Sequence, residues 1–362
     1  MSTTALYDEH VRAGARLVPF GGFQMPIQYS SILKEHDAVR HRAGLFDLSH
    51  MGQFWLTGEG VPQWADTLTT NAVATMKPWQ ARYNIFCNDA GGAHDDTIFY
   101  RVGERWLLVV NASNAAKMWE HLNAHLPRDG VALRNDHGRA ALIAIQGPRS
   151  VEILRPHVDV DIAALRYYFC TEGNVDGVPA IIARTGYTGE DGFELFVAGE
   201  AAPELWRKLL RDGGDAGLEP CGLGARDVLR LEAGMPLYGH ELTEEITPVQ
   251  AGQSWALKLN KPEFIGKTAL AQQLERDDFS RIVGLVMQGR APAREGYRVT
   301  RDGAAVGEVR SGSIAPSVGN KHIATALVER SAATPGTAVE VQIRGAAHGA
   351  NVVPLPFYKR EK

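Results

Sequence analysis

Hydrophobic and polar positions along this 362-residue chain do not keep a single period. In the first 280 residues or so, two periods are mixed. Met118, Trp119, Leu122 and Leu126 recur at helical spacing, with Ser113 or Asn114 placed to cap the helix. Leu205, Trp206, Leu209 and Leu210 predict a second amphipathic helix, opened through Pro203 and ended by Gly213-Gly214. Residues 223–233 predict a third. Apolar and alternating runs predict strands over 83–87, 97–102, 106–110, 141–146 and 179–183. Helices and strands follow one another irregularly, without a βαβα alternation, so the pattern predicts an α+β fold rather than a doubly wound sheet.

Near residue 282 the pattern changes. Short β-type runs at 282–287, 297–300, 323–328 and 338–343 are separated by turn signals such as Asp302-Gly303 and Pro335-Gly336. No helical period is sustained there. This predicts a small all-β unit, a barrel or a sandwich. Charge changes at the same place. Residues 282–362 carry 11 Lys and Arg against 6 Asp and Glu, a net +5, whereas the preceding residues carry 27 against 36, a net −9. Such asymmetry marks a domain boundary and a candidate partner surface.

Composition narrows the class. With 44% hydrophobic and 22% charged residues, the chain can bury large cores, which excludes extended disorder and a disulfide scaffold. Its net charge of −4 is not the footprint of a general nucleic-acid binder. Cys87, Cys170 and Cys221 form no CxxC and no metal-ligand spacing, which fits a reducing compartment. The first ten residues, MSTTALYDEH, are neither a signal nor a transit peptide, and no run approaches the ~18 apolar residues of a membrane span. The expected address is the cytoplasm.

Several segments are candidates for chemistry. Gly91-Gly92-Ala93-His94-Asp95-Asp96 joins two strand-like runs. Adjacent strand residues point to opposite faces, so at most one of the two aspartates faces a given site. Two readings are open: a turn with solvated acids, or one carboxylate held on rigid backbone at a cleft. Thr185 to Glu194 reads TGYTGEDGFE, with three glycines in seven residues. No Lys-Ser/Thr follows, so it is not a Walker loop. Its acids Glu190, Asp191 and Glu194 suit a donor-rich ligand such as an aminopyrimidine edge, or simply line a hairpin. Arg226 and Arg230 stand four apart at a helix start, where a guanidinium can clamp a carboxylate of protein or ligand. His50 reads as a packed, satisfied histidine and Cys221 as a small core residue. No HExxH, HxH or GxSxG motif is present, so no metal site or serine nucleophile is expected.

Taken together the segments resemble the aminomethyltransferase family, the T proteins of the glycine cleavage system. The matching stretches are FGGFQMP from Phe20, EHDAVR from Glu35, GLFDLSHM from Gly44 and GGAHDD from Gly91. TGYTGEDG from Thr185, CGLGARDVLRLEAG from Cys221, FIGKTAL from Phe264 and SGSIAPSVG from Ser311 follow in the family's order. One such motif is weak; the ordered set over nearly the whole chain is specific.

The resemblance implies three domains in a cloverleaf around a central folate-binding hole. Residues 1–50 with 138–232 would form a first discontinuous α+β domain. Residues 51–137 with 233–278 would form a second, and 279–362 a C-terminal β-barrel. It implies transfer of an aminomethyl group from the dihydrolipoyl arm of a carrier, the H protein, to the co-substrate tetrahydrofolate. Carried over by position, the catalytic aspartate is Asp95. Glu194 and Tyr187 fall on pterin-pocket positions and Arg226 on the arginine of the GxxARD segment. Met51, Tyr83 and Asn111 match further pocket positions. No metal, nucleic acid or membrane is implied. Phe23 stands where the family often has Trp, and His94 where an apolar residue is usual. Relatives of this fold with scaffold or assembly roles, or with folate-dependent demethylase activity, form the alternatives. The scaffold relatives usually carry a KGC-type segment, which 230–239 (RLEAGMPLYG) lacks.

Overall fold

The computed structural model describes residues 1–360 and divides into two compact units. The first contains residues 1–65, 72–84 and 97–226; the second contains 66–71, 85–96 and the chain from 227 onward.

The first unit is built on a six-stranded sheet. Its order is Cys170–Val175, Val178–Ala183, Gly192–Ala198, Ala140–Gln146, Ala43–Asp47 and Leu218–Pro220. All pairs are antiparallel except the last, where Leu218 lies beside Ala43 in parallel register. Helix Ala202–Gly213 covers this sheet. Leu205, Trp206 and Leu209 are buried in one core with Ile143, Ile145, Ile182, Phe193 and Leu195. The predicted face is therefore the buried face, and Pro203 sits in the first turn as expected.

A five-stranded sheet runs in the order Ala81–Cys87, Ala93–Val102, Arg105–Val110, Gly52–Thr57 and Ala132–Asn135. Its first two strands cross from the first unit into the second along the chain. Helix Ala115–Ala124 buries Met118 and Leu122, but it stops short of Leu126, which is exposed. Neither expected cap operates. A 3-10 turn, Ala112–Asn114, leads into the helix, and Asn114 makes no capping side-chain bond. An additional two-stranded hairpin, Arg16–Phe20 with Phe23–Gln28, turns through Gly21 and Gly22, both at positive φ.

The second unit contains a closed six-stranded barrel in the order Arg281–Met287, Lys321–Val328, Ala304–Ala315, Arg298–Arg301, Ala338–Ile343 and Ala346–Val353, returning to the first strand. Its interior is filled by small and branched residues, including Val283, Leu285, Val299, Val309, Ala324, Ala326, Val341 and Ala350. The sequence pattern found four of these strands. It missed 304–315 and 346–353, whose many alanines and glycines carry little β signal. The fold is α+β with a C-terminal all-β barrel. No helix among the described residues is long and apolar enough to cross a membrane.

Candidate functional site

In the first unit the Thr185–Glu194 loop sorts its own acids. Glu190 is buried against Arg40, with Nη1 2.8 Å from Oε1, and the same nitrogen donates to the Thr188 carbonyl at 2.7 Å. Asp191 is gripped in a fork by Arg184 at 2.9 and 2.6 Å. These two acids are spent on holding the loop. The loop's glycines have a similar use. A Cβ on Gly186 would fall 2.0 Å from Oε1 of Gln146, and one on Gly192 2.5 Å from its Nε2. Gln146 donates to the Thr185 carbonyl at 3.0 Å and accepts from the Thr188 hydroxyl at 3.0 Å. The glycines thus admit a protein side chain that pins the loop to strand Ala140–Gln146.

Glu194 is different. It lies on strand Gly192–Ala198, opposite Ala144 on one side and Ala183 on the other, and is 7% exposed. No ion pair neutralises it among the described residues. Its Oε2 accepts a hydrogen bond from the Tyr100 phenol at 2.9 Å and another from the Thr185 hydroxyl. Burial, with Glu194 next in order, pushes the Tyr100 phenol well above its ordinary range, so it stays a donor. Tyr100 also meets the ring of Phe196 edge-on at 5.2 Å.

Arg226 lies over the ring of Tyr187 at 4.8 Å, a cation–π stack. Burial lowers its pKa from the ordinary arginine value, and the charges of Glu194 and Tyr187 work against that fall. Its Nη1 is buried without a hydrogen-bond partner among the described residues. A guanidinium nitrogen left in that condition is costly unless a ligand acceptor completes it. Glu194, Tyr187 and Arg226 are therefore brought together, as a carboxylate with an open oxygen beside a cation with an open donor. Met51, Tyr83 and Asn111 lie in the same unit, each half-buried.

His50 is buried as expected but not satisfied, because its Nδ1 has no partner among the described residues. Burial, followed by the nearby Arg226 and His137, lowers its pKa to about 4, against the opposing pull of Asp47, so the ring is neutral at neutral pH. Cys221 is buried, and its burial pushes the thiol up rather than down, so it is a core residue and not a nucleophile.

Asp95 belongs to the second unit. It is fully buried on strand Ala93–Val102, while its neighbour Asp96 is half-buried, in keeping with their opposite faces. The turn before it is tightly held. Gly91 has φ +86°, Asn88 N–H donates to the Gly92 carbonyl at 2.9 Å, Gly92 N–H donates to Asn88 Oδ1 at 3.0 Å, and Ala93 donates to the Thr243 carbonyl at 2.8 Å. Asn88 Nδ2 reaches the Glu244 carbonyl at 2.9 Å, and His94 Nδ1 lies 3.2 Å from the Glu244 carboxylate.

Arg230 acts as a protein clamp. It binds Asp227, Glu241 and Ser311 at 2.8, 3.0 and 2.9 Å within the second unit. Of the barrel's basic residues, Arg290, Arg294, Arg298 and Lys321 are exposed, whereas Arg310 is tied to the His240 carbonyl at 2.8 Å and to Glu308 at 3.0 Å. No group of three or more His, Cys, Asp or Glu side chains among the described residues is arranged to hold a metal ion.

Sequence reasoning singled out Glu194 but missed Tyr100 as its partner. Tyr100 closes an apolar run, Thr-Ile-Phe-Tyr, whose letters give no reason to separate it from the core.

Comparison with known proteins gives the family. Residues 6–261 match the GCVT N-terminal domain, and 281–359 match the glycine cleavage T-protein C-terminal barrel domain. The chain is 48% identical over 363 residues to an aminomethyltransferase of Moorella thermoacetica, covering 100% of this chain and 99% of that one. It is 44% identical over 362 residues to an aminomethyltransferase of Desulfitobacterium hafniense, again covering 100% and 99%. A crystal structure of the glycine cleavage system aminomethyltransferase T from Bartonella henselae superposes with a TM-score of 0.92 at 34% identity, covering 99% of this chain and 98% of the other. The ordered motifs, the closed barrel and these full-length matches converge: the chain belongs to the glycine cleavage T-protein family of aminomethyltransferases.

Proposed function

We propose that the protein moves an aminomethyl group from the dihydrolipoyl arm of a lipoylated H protein to tetrahydrofolate, in the cytoplasm. The products are 5,10-methylenetetrahydrofolate, ammonia and the reduced arm. The observation that carries this reading is the pairing of Glu194, a buried carboxylate whose two hydroxyl bonds both fall on Oε2, with Arg226, a cation whose Nη1 has no partner among the described residues. The donor-rich aminopyrimidine edge of a pterin fits the first, and an acceptor of the same ligand fits the second. The co-substrate supplies the nitrogen that receives the one-carbon unit.

The chain's residues divide the remaining work. Glu194 orients the pterin, and orientation sets the geometry of attack. Tyr187, braced by the Arg226 stack, gives that pocket an aromatic wall. Met51, Tyr83 and Asn111 complete it. Asp95 is the catalytic carboxylate. The first bond to break joins carbon to sulfur, and as thiolate leaves, positive charge develops on the transferred carbon, which a folate nitrogen attacks; the carbon–nitrogen bond breaks afterwards, when a second folate nitrogen displaces ammonia. A fixed carboxylate in a water-poor setting stabilises that charge and positions the proton lost from the attacking amine. No step is assigned to a metal. The deciding experiment measures ammonia release from aminomethyl-loaded H protein with and without tetrahydrofolate. Release that is equally fast without folate refutes the proposal.

A further inference from the structure

We infer that Tyr100 and Thr185 are positioning residues for ligand recognition: their hydroxyls fix the Glu194 carboxylate so that Oε1 is the oxygen offered to the pterin. The inference rests on the reading of Glu194 as the pterin anchor. A carboxylate oxygen has about two acceptor sites, and both hydroxyl bonds fall on Oε2. The two hydroxyl oxygens are themselves 3.2 Å apart. Whether Tyr100 donates straight to Glu194 or through Thr185, a hydroxyl proton is committed to Oε2. Oε2 is thereby tethered to the protein, while Oε1 takes neither hydroxyl bond.

The supports are rigid. Tyr100 is 1% exposed, with its ring against Phe196, and Thr185 is also buried, its carbonyl held by Gln146. A free glutamate side chain must lose its rotamer freedom on binding a ligand, whereas this one is held beforehand. The arrangement also replaces a counter-ion. A cation at Oε2 would compete with ligand donors for the same charge, while two neutral hydroxyls orient the carboxylate and leave its charge for the ligand.

The test uses tetrahydrofolate binding followed by quenching of intrinsic tryptophan fluorescence, with the full-length protein. Tyr100→Phe keeps the ring and removes only the hydroxyl. It should raise the tetrahydrofolate Kd about 5–20-fold, less than the full loss of a hydrogen bond to a charged group, because the Thr185 tether remains. Turnover at saturating folate should stay within threefold, so the effect falls on KM rather than kcat. The same substitution made in a Glu194→Gln background should change Kd less than twofold. Thr185→Val should behave like Tyr100→Phe, and Thr185→Ser, which restores the hydroxyl, should recover most of the affinity.

Equal losses in the wild-type and Glu194→Gln backgrounds would mean that Tyr100 acts by packing alone, and would overturn the inference. So would an unchanged Kd in Tyr100→Phe, or failure of Thr185→Ser to recover what Thr185→Val loses. The Thr185 pair decides the matter should Tyr100→Phe fold poorly. Absence of any tetrahydrofolate binding by the unaltered protein would instead remove the folate reading itself, and the inference with it.

Discussion

Gly92→Ala is the substitution whose consequence can be worked most directly from geometry. A Cβ at position 92 would stand 1.7 Å from the Glu244 carbonyl oxygen and 2.4 Å from its carbon. Both atoms are backbone, so no side chain can swing aside. Bringing the contact to 3.0 Å, about the lower limit for a real Cβ, requires a displacement of at least 1.3 Å, the difference between 3.0 and 1.7. Either the 243–246 segment retreats or the turn before Asp95 does. Retreat would stretch the bonds from Ala93 to Thr243 and from Asn88 to Glu244, now 2.8 and 2.9 Å. Overpacking of this kind costs about 1–3 kcal/mol. Asp95 lies three residues further on, on the strand that the turn launches. A misplacement near 1 Å of a group at the chemistry can cost about 10²-fold in rate. The expected outcome is a Tm a few degrees lower, and a kcat for folate-dependent ammonia release reduced about 100-fold. Gly303→Ala is the control. Its glycine, unlike Gly92, has a positive φ, +80°, but a Cβ there meets no atom within 4 Å, and it lies in a barrel turn. It should lose stability with little change in kcat. If Gly92→Ala retains more than half of the wild-type kcat, the argument that this turn positions the catalytic carboxylate is wrong.

Three further outcomes are expected. Asp95→Asn should lower kcat by about 10²–10³-fold, the equivalent of roughly 2.7–4 kcal/mol, while tetrahydrofolate Kd stays within threefold; Asp96→Asn should do much less, and the reverse order would show that the wrong carboxylate has been assigned. His50 should make stability pH-dependent: its folded pKa, about 4, lies below the ordinary 6.5, so the unfolded chain binds the extra proton first. That contribution, up to about 3 kcal/mol, is complete above pH 6.5 and is lost as pH falls toward 4; urea midpoints of His50→Gln should lose this slope, and an unchanged slope would refute it. The kcat/KM for loaded H protein should fall as salt rises, and Arg294→Glu with Arg298→Glu should mimic that fall at low ionic strength, because steering acts on association; silence of the double reversal would place docking elsewhere.

The sequence made the strands legible wherever apolar residues ran continuously through an element buried on both faces. Strands Arg105–Val110, Ala140–Gln146 and Val178–Ala183 agree with the expected runs to within a residue. The signal failed where tertiary packing, not pattern, makes the element. Strand Ala304–Ala315 is rich in Gly, Ala and Ser and shifts register between Val309 and Ser311, so its alternation is broken. At the helix Ala115–Ala124, a 3-10 turn took the place of the predicted cap. His50 shows a different limit. Its burial could be read from the apolar run before it, but a missing hydrogen bond is a property of the neighbours and has no signature in the run itself.

The division of the charged side chains makes the same point about function. Composition groups Glu190, Asp191 and Glu194 as three equivalent acids, and Arg226 and Arg230 as two equivalent bases. In three dimensions Arg40 and Arg184 consume the first two acids, and Asp227 with Glu241 consumes Arg230. An internal ion pair of this kind holds backbone in place and has little charge left for a ligand. Glu194 and Arg226 are set apart by what they lack. One has hydroxyls in place of a counter-ion, and the other has a buried donor with no acceptor. Discrimination between loop-building and ligand-binding charges therefore depends on partners 94, 150 and more residues distant in sequence, such as Tyr100 to Glu194 and Arg40 to Glu190. Local spacing cannot encode such separations. The family resemblance selects Glu194 and Arg226, and the folded arrangement adds that, among the described residues, no internal ion pair consumes them as it consumes their equally charged neighbours.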